Sequence, residues 1–317
     1  MPNPKNARFG LGCAIGAQLI WGLFPIYIDV LKPHIEAPDI VAHRVVWSFL
    51  MLIGLVLFAR FFPSKLLPNA SEISGALQDR KAALLFASAA CLIATNWLVF
   101  VWAVSHEMIL DASLGYYICP QLVVLLGVVF LRERLSKLQW AAIFLSVCGV
   151  AYIMRGQSGV PLIAILIALS FGGYALSKKR TKLTALAGLT CETGILLVPA
   201  LVFLAWRVST PEGKIFLGNG WLNLMLIGLG PTTIAPLALY ATALKHIKLS
   251  TVGLLQFLGP TIQFMVGVFV FGESFDLNRF VGFAFVWVGI GLYLYAMHRN
   301  LQDDASETQD VASTLKD

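Results

Sequence analysis

The sequence predicts an all-α polytopic membrane protein, with ten transmembrane helices arranged as two inverted five-helix repeats and both termini in the cytoplasm. Three observations lead there. Of 317 residues, 58% are hydrophobic and 13% charged, about half the charge of an average soluble domain. The apolar residues gather into ten runs of near-membrane length with short polar connections between them, as spanning helices require. A set of residues also recurs at a fixed offset of 140 positions. With a mean hydropathy of +0.79, a soluble fold would expose more apolar surface than monomers tolerate. An ordinary soluble enzyme, a nucleic-acid binder and a disordered chain are therefore excluded.

The spans fall near residues 10–31, 39–60, 82–104, 111–131, 137–154, 161–177, 185–206, 221–243, 249–271 and 279–297. Their apolar runs are continuous and lack the period-2 alternation of barrel strands, so they are helices. Lys5 and Arg8 precede the first run, but that run holds Trp21, Pro25 and Tyr27 and has no small-residue cleavage site, which reads as a retained helix and not a signal peptide. Residues 1–9 form a cytoplasmic N-terminal tail, 10–154 and 155–299 the two repeats, and 300–317 a polar, acid-rich tail expected to be disordered.

Orientation follows from the basic residues. With the N-terminus inside, 16 lysines and arginines fall on the cytoplasmic side and 5 on the outer side; Arg44 lies within a span and Lys316 in the distal tail. Such a bias places both termini in the cytoplasm. On this reading RERL (residues 132–135) with Lys137, and KKRTK (residues 178–182), are topology determinants. Cys13, Cys91, Cys119, Cys148 and Cys191 all lie in spans without metal-ligand spacing, the usual role of a small hydrophobe.

At the 140-residue offset, His106 falls on His246, Pro120 on Pro260, Gly127 on Gly267, Glu133 on Glu273 and Gly149 on Gly289. Matches at equivalent places in their helices indicate duplication. Five helices per half insert the second half upside down, a plan that places a binding site near the bilayer midplane at the repeat interface.

The residue pattern resembles the drug/metabolite transporter superfamily with EamA-type repeats, and within it the RarD family of inner-membrane permeases. The resemblance rests on IWGLFPIYIDVL (20–31), AHRVVWS (42–48), ATNWLVFVWAV (94–104), SLGYYICPQLVVLLGVVFLRERL (113–135) and LLQFLGPTIQFMVGVFVFGESF (254–275), and covers the chain except its tails. It implies ten helices, cytoplasmic termini, the bacterial inner membrane and small-molecule permease activity.

Ionisable groups inside spans are costly and commonly functional. Arg44 is read either as the group that binds an anionic or electron-rich part of the substrate or as part of an outer gate, with snorkelling to the interface as its structural alternative. His43 is either a satisfied helix histidine or a proton-linked gate. Glu192, in the seventh span, is a carrier of coupled protons, the partner of a cationic group, or a packing acid bonded to neighbours. Trp21, Tyr27, Asn96, Trp97, Tyr117, Gln121, Tyr240 and Gln256 complete a candidate binding set, suited to a small, partly apolar solute with hydrogen-bonding groups. Phe100, Tyr116, Pro120, Pro260 and Gln263 adjoin it. Two prolines in GLGPTTIAP (228–236) mark a cavity wall or hinge in the eighth span, and Gly12 with Gly16 a close helix contact. No nucleotide-binding loop, HExxH helix or nucleophile elbow occurs, so no cofactor, metal or nucleic-acid partner is expected. The partners are the bilayer, a small solute and, for a coupled carrier, protons. A facilitative uniporter or channel on the same fold is the first alternative. A lipid-modifying enzyme is the second, and it lacks the clustered acids, histidines or metal ligands such chemistry uses.

Overall fold

The computed structural model describes residues 4–62, 67–105, 109–155, 162–210, 215–272 and 277–314. Among them the chain is helical throughout: α1 (Pro4–Leu31), α2 (Ala37–Phe61), α3 (Ala70–Gln78), α4 (Arg80–Ser105), α5 (Ile109–Leu131), α6 (Lys137–Ile153), α7 (Leu162–Arg180), α8 (Ala185–Val208), α9 (Gly220–His246), α10 (Leu249–Leu255), α11 (Leu258–Phe269) and α12 (Leu277–Thr314). Among the described residues, eight helical stretches are long and apolar enough to cross a membrane, α10 and α11 together (Leu249–Phe269) counting as one; Gly115–Leu131 and Lys137–Ile153 are shorter apolar stretches. The protein is thus a multi-pass membrane protein.

Local chemistry sets the ends. Ser136 and Gln139 form a reciprocal capping box at α6, with Ser136 N–H donating to Gln139 Oε1 at 2.9 Å. Asn219 caps α9 by accepting from Trp221 N–H at 2.9 Å. The α5 terminus turns through Arg132 at φ 53°, which lets Glu133 N–H return to Gly127 O at 3.1 Å. The end after α11 turns in the same left-handed region at Gly272, φ 67°.

Three features differ from the sequence reading. The ninth span is two helices, α10 and α11. Pro260 has no N–H to give Gln256 O, and Gly259 N–H donates to that carbonyl instead at 3.2 Å. The eighth span, where two prolines suggested a hinge, is one unbroken α9. There the Thr232 and Thr233 hydroxyls donate to the Gly228 and Leu229 carbonyls at 2.9 and 2.7 Å. Finally, α12 runs to Thr314 and α1 starts at Pro4, so both tails carry helix. Gln302, Ala305, Glu307 and Gln309 are good helix formers and continue a helix that the apolar segment has already nucleated.

Most packing joins the first half of the chain to the second. α1 lies against α9 and α11, α2 against α8 and α9, α4 against α7 and α8, α5 against α7 and α10, and α6 against α12. α10 sits inside, with all seven residues buried. α6 and α12 touch backbone to backbone through glycine. A Cβ on Gly289 would lie 2.8 Å from Ala142 O, and one on Gly149 would lie 2.6 Å from Gly282 O. Gly12, expected at such a contact, faces open space, whereas Gly10 and Gly22 are the crowded glycines of α1.

Glu133 joins the halves. Its carboxylate accepts from Leu249 N–H (2.6 Å), Ser250 N–H (3.0 Å) and Ser250 Oγ (2.6 Å) at the start of α10, where the helix dipole favours an anion. Glu133→Gln keeps the shape but loses the charge. It is expected to cost about 1–2 kcal/mol, read as a lowered unfolding temperature of the detergent-purified protein.

Candidate functional site

Arg44, half-buried on α2, reaches side chains of α1, α4 and α9. Its Nε donates to Thr233 Oγ1 at 3.0 Å. That hydroxyl spends its own proton on Leu229 O, which leaves its lone pairs for the guanidinium. The guanidinium carbon lies 4.9 Å from the ring centroid of Phe24 and 4.9 Å from that of Trp97, within cation–π range. Phe24 stacks on Tyr27, centroids 6.2 Å apart, and the Tyr27 hydroxyl donates to Met225 O at 2.5 Å.

An aromatic run leads away from Arg44. Trp21 meets Tyr240 at 5.5 Å and Phe171 at 6.0 Å between centroids, and Phe171 meets Tyr174 at 5.9 Å. Trp21, Trp97, Phe171 and Tyr174 pack into one cluster. Tyr240 is fully buried, and its hydroxyl accepts from Gln256 Nε2 at 2.7 Å. Gln256 thus sits at the break between α10 and α11, with its side chain tied to α9. Gln263, further along α11, donates to Trp21 O at 3.2 Å.

Glu192 lies beyond the far end of this run, and it is not alone. Its Oε1 accepts from Lys178 Nζ at 2.8 Å, and its Oε2 accepts from the Tyr174 hydroxyl at 3.3 Å. The Lys178 and Glu192 side chains are 1% and 3% exposed. Lys178 was read as a topology determinant, but this placement corrects that reading. α7 continues to Arg180, which keeps Lys178 one helical turn after Tyr174 and on the same face, turned toward α8. The signal in the sequence was the lone intramembrane acid: it needed a cation, and Lys178 continues the Tyr174 stripe. A second missed pair closes the other end. Arg207 binds Asp39 through Nε and Nη2, each at 2.9 Å, and Glu36 at 3.2 Å.

Other candidates take separate places. Asn96 is buried and donates to Ile167 O (3.0 Å) and Ser170 Oγ (3.2 Å), joining α4 to α7. Tyr117 sits edge-on to Phe283 of α12, 5.6 Å between centroids. With its amide oriented to satisfy both ends, Gln121 donates to Tyr117 O at 2.8 Å on its own helix. His43 is buried with Nε2 unpaired among the described residues, as is Trp47 Nε1 one turn later. Tyr116 packs edge-on to Phe100 at 5.7 Å. His106 and Glu273 lie outside the described residues.

The model of the EamA-like transporter family matches residues 8–155 and again residues 158–295. The chain belongs to the EamA-like transporter family. This EamA-like chain is 38% identical over 292 residues to an uncharacterized transporter of Vibrio cholerae, covering 92% of the chain and 94% of the relative. It is 35% identical over 290 residues to protein RarD of Salmonella typhimurium, covering 92% and 96%. A solved crystal structure at 16% identity superposes with a TM-score of 0.68 over 93% of the chain and 99% of that structure, and so shares its fold. Family and relatives make the EamA-like protein a membrane transporter of the drug/metabolite type.

Proposed function

We propose that the protein is a secondary-active, alternating-access permease for a small organic metabolite or drug in the bacterial inner membrane. It is built from ten spans in two inverted repeats with cytoplasmic termini. The observation that carries this reading is the symmetry of the packing. Let α1, α2, α4, α5 and α6 correspond in order to α7, α8, α9, the α10–α11 pair and α12. Exchanging the halves then turns α1 with α9 into α7 with α4, α1 with α11 into α7 with α5, and α2 with α9 into α8 with α4. The pairs α2 with α8, α5 with α10 and α6 with α12 map onto themselves. Every one of these contacts is present. The left-handed turns at Arg132 and Gly272 stand at the same 140-residue offset, and the family model matches once per half. Interleaved inverted halves suit a central site that opens to either side.

Arg44, Trp97, Tyr27, Trp21, Tyr240 and Gln256 form the binding path in this reading; Asn96, Tyr117 and Gln121 support its walls. Glu192 and His43 carry coupling or gating. A thermal-shift screen of the purified protein against amino acids, amines, organic acids and drugs selects a solute for counterflow in proteoliposomes. Trans-stimulated uptake is expected, and its absence with rapid flux would leave a channel in place of a carrier. Arg44→Lys is expected to reduce counterflow about tenfold or more, because an ammonium cannot reproduce the planar fork of a guanidinium. Transport at the wild-type rate would remove Arg44 from the site.

A further inference from the structure

Among the described residues, the two buried cations each face a carboxylate, half-buried Lys179 reaches the Leu244 and Ile247 carbonyls, and half-buried Arg44 has neither. Lys178 faces Glu192 at 2.8 Å and Arg207 faces Asp39 at 2.9 Å, whereas no carboxylate among the described side chains stands within 4.0 Å of Arg44. Its hydrogen-bond partner is a neutral hydroxyl on Nε, and the rings of Phe24 and Trp97 each lie 4.9 Å from the guanidinium carbon. The guanidinium is therefore positioned and half-buried, with no carboxylate among the described side chains to answer its charge.

An unanswered guanidinium within a span is costly, and the two rings offset only part of that cost. The chemistry that completes it is an anion. Terminal guanidinium nitrogens present parallel N–H donors that match the two oxygens of a carboxylate, and the attraction strengthens where water is sparse. A cationic solute is repelled there, and a neutral one leaves the charge as it was. The same rings, with Trp21 in the cluster beyond Trp97, offer flat apolar surface for the remainder of the solute.

We infer that Arg44 anchors the carboxylate of a small organic anion whose aromatic or apolar body lies against Phe24 and Trp97. The inference rests on the permease reading for its physiological meaning, but the binding it asserts is measurable without transport.

The test is calorimetric titration of the full-length detergent-purified protein with 3-phenylpropionate, 3-phenylpropionamide and 2-phenylethylamine, which share a ring and differ in charge. The carboxylate is expected to bind about tenfold or more tightly than the amide and the amine. Arg44→Lys keeps the charge but loses the paired donors, so it is expected to weaken carboxylate binding about threefold or more, while amide binding stays within about twofold of wild type. Thr233→Val, which removes only the hydroxyl that positions Nε, is expected to weaken the carboxylate by about threefold. Equal or tighter binding of the amine or amide overturns the inference, as does carboxylate binding that is undetectable at millimolar concentration or unchanged in Arg44→Lys. Should Arg44→Lys fail to fold, the wild-type order of the three probes and Thr233→Val decide. Counterflow without anion preference removes the inference and keeps the permease. Carboxylate binding that depends on Arg44 without counterflow does the reverse.

Discussion

Replacing Lys178 by methionine is expected to destabilise the protein by about 3–5 kcal/mol, because it strands the Glu192 carboxylate in a site that admits almost no solvent. Glu192→Gln strands the Lys178 ammonium and should cost a similar amount. The double variant Lys178→Met with Glu192→Gln removes both charges together and keeps a carbonyl oxygen to accept the Tyr174 hydroxyl, so most of the loss should return. Unfolding in detergent, read as a double-mutant cycle, checks this. A double variant whose loss equals the sum of the two single losses would mean that the ion pair, 2.8 Å apart, contributes nothing as a pair. The result also governs how coupling is tested. Loss of transport in Glu192→Gln alone confounds proton carriage with an unpaired lysine. The neutral double variant is the sound background: if transport there still follows an imposed proton gradient, Glu192 is not the carrier.

The α6–α12 seam should be nearly as sensitive. A Cβ on Gly289 would fall 2.4 Å from Ser146 Oγ and 2.8 Å from Ala142 O. The hydroxyl can rotate away, but the carbonyl belongs to the helix and cannot. Gly289→Val must therefore push two helices apart, at a cost of about 2–3 kcal/mol, seen as a fall in unfolding temperature. Gly291, two residues on, meets nothing within 4 Å. Gly291→Ala should be neutral or stabilising by up to about 1 kcal/mol, since alanine is the better helix former. Equal losses in the two variants would mean that helix propensity, and not close approach, decides this seam.

The fold was legible because its cause is local. Apolar run length sets a spanning helix, and the expected segments fall on helix in the structure, except that the ninth is divided between α10 and α11. α3 escaped because it is short and lies between spans, where the Glu72 carboxylate reaches Thr184 at the start of α8. The site was legible only in part. Arg44 and Glu192 stood out because charge in a span is rare, but the partner of each is a matter of which helices meet. Lys178 looked like its neighbours Lys179 and Arg180, and only the α7–α8 contact separates it from them. Lys179, one residue later, instead donates to the Leu244 and Ile247 carbonyls at the end of α9. Asn96 illustrates the converse. An amide on an apolar helix reads as a ligand for solute, yet here both its donors go to α7.

The enclosure of α10 has a consequence for how the chain assembles. A helix with seven buried residues and none facing lipid can be seated only after its surroundings exist, and those surroundings include α1, α5, α7 and α9. α1, although made first, finds α9 and α11 only when nearly the whole chain has been synthesised. Insertion can proceed span by span, but docking must wait for the late helices to arrive. A nascent chain cut before Leu249 should therefore hold inserted helices around an unfilled slot, open to quality-control proteases until α10 closes it.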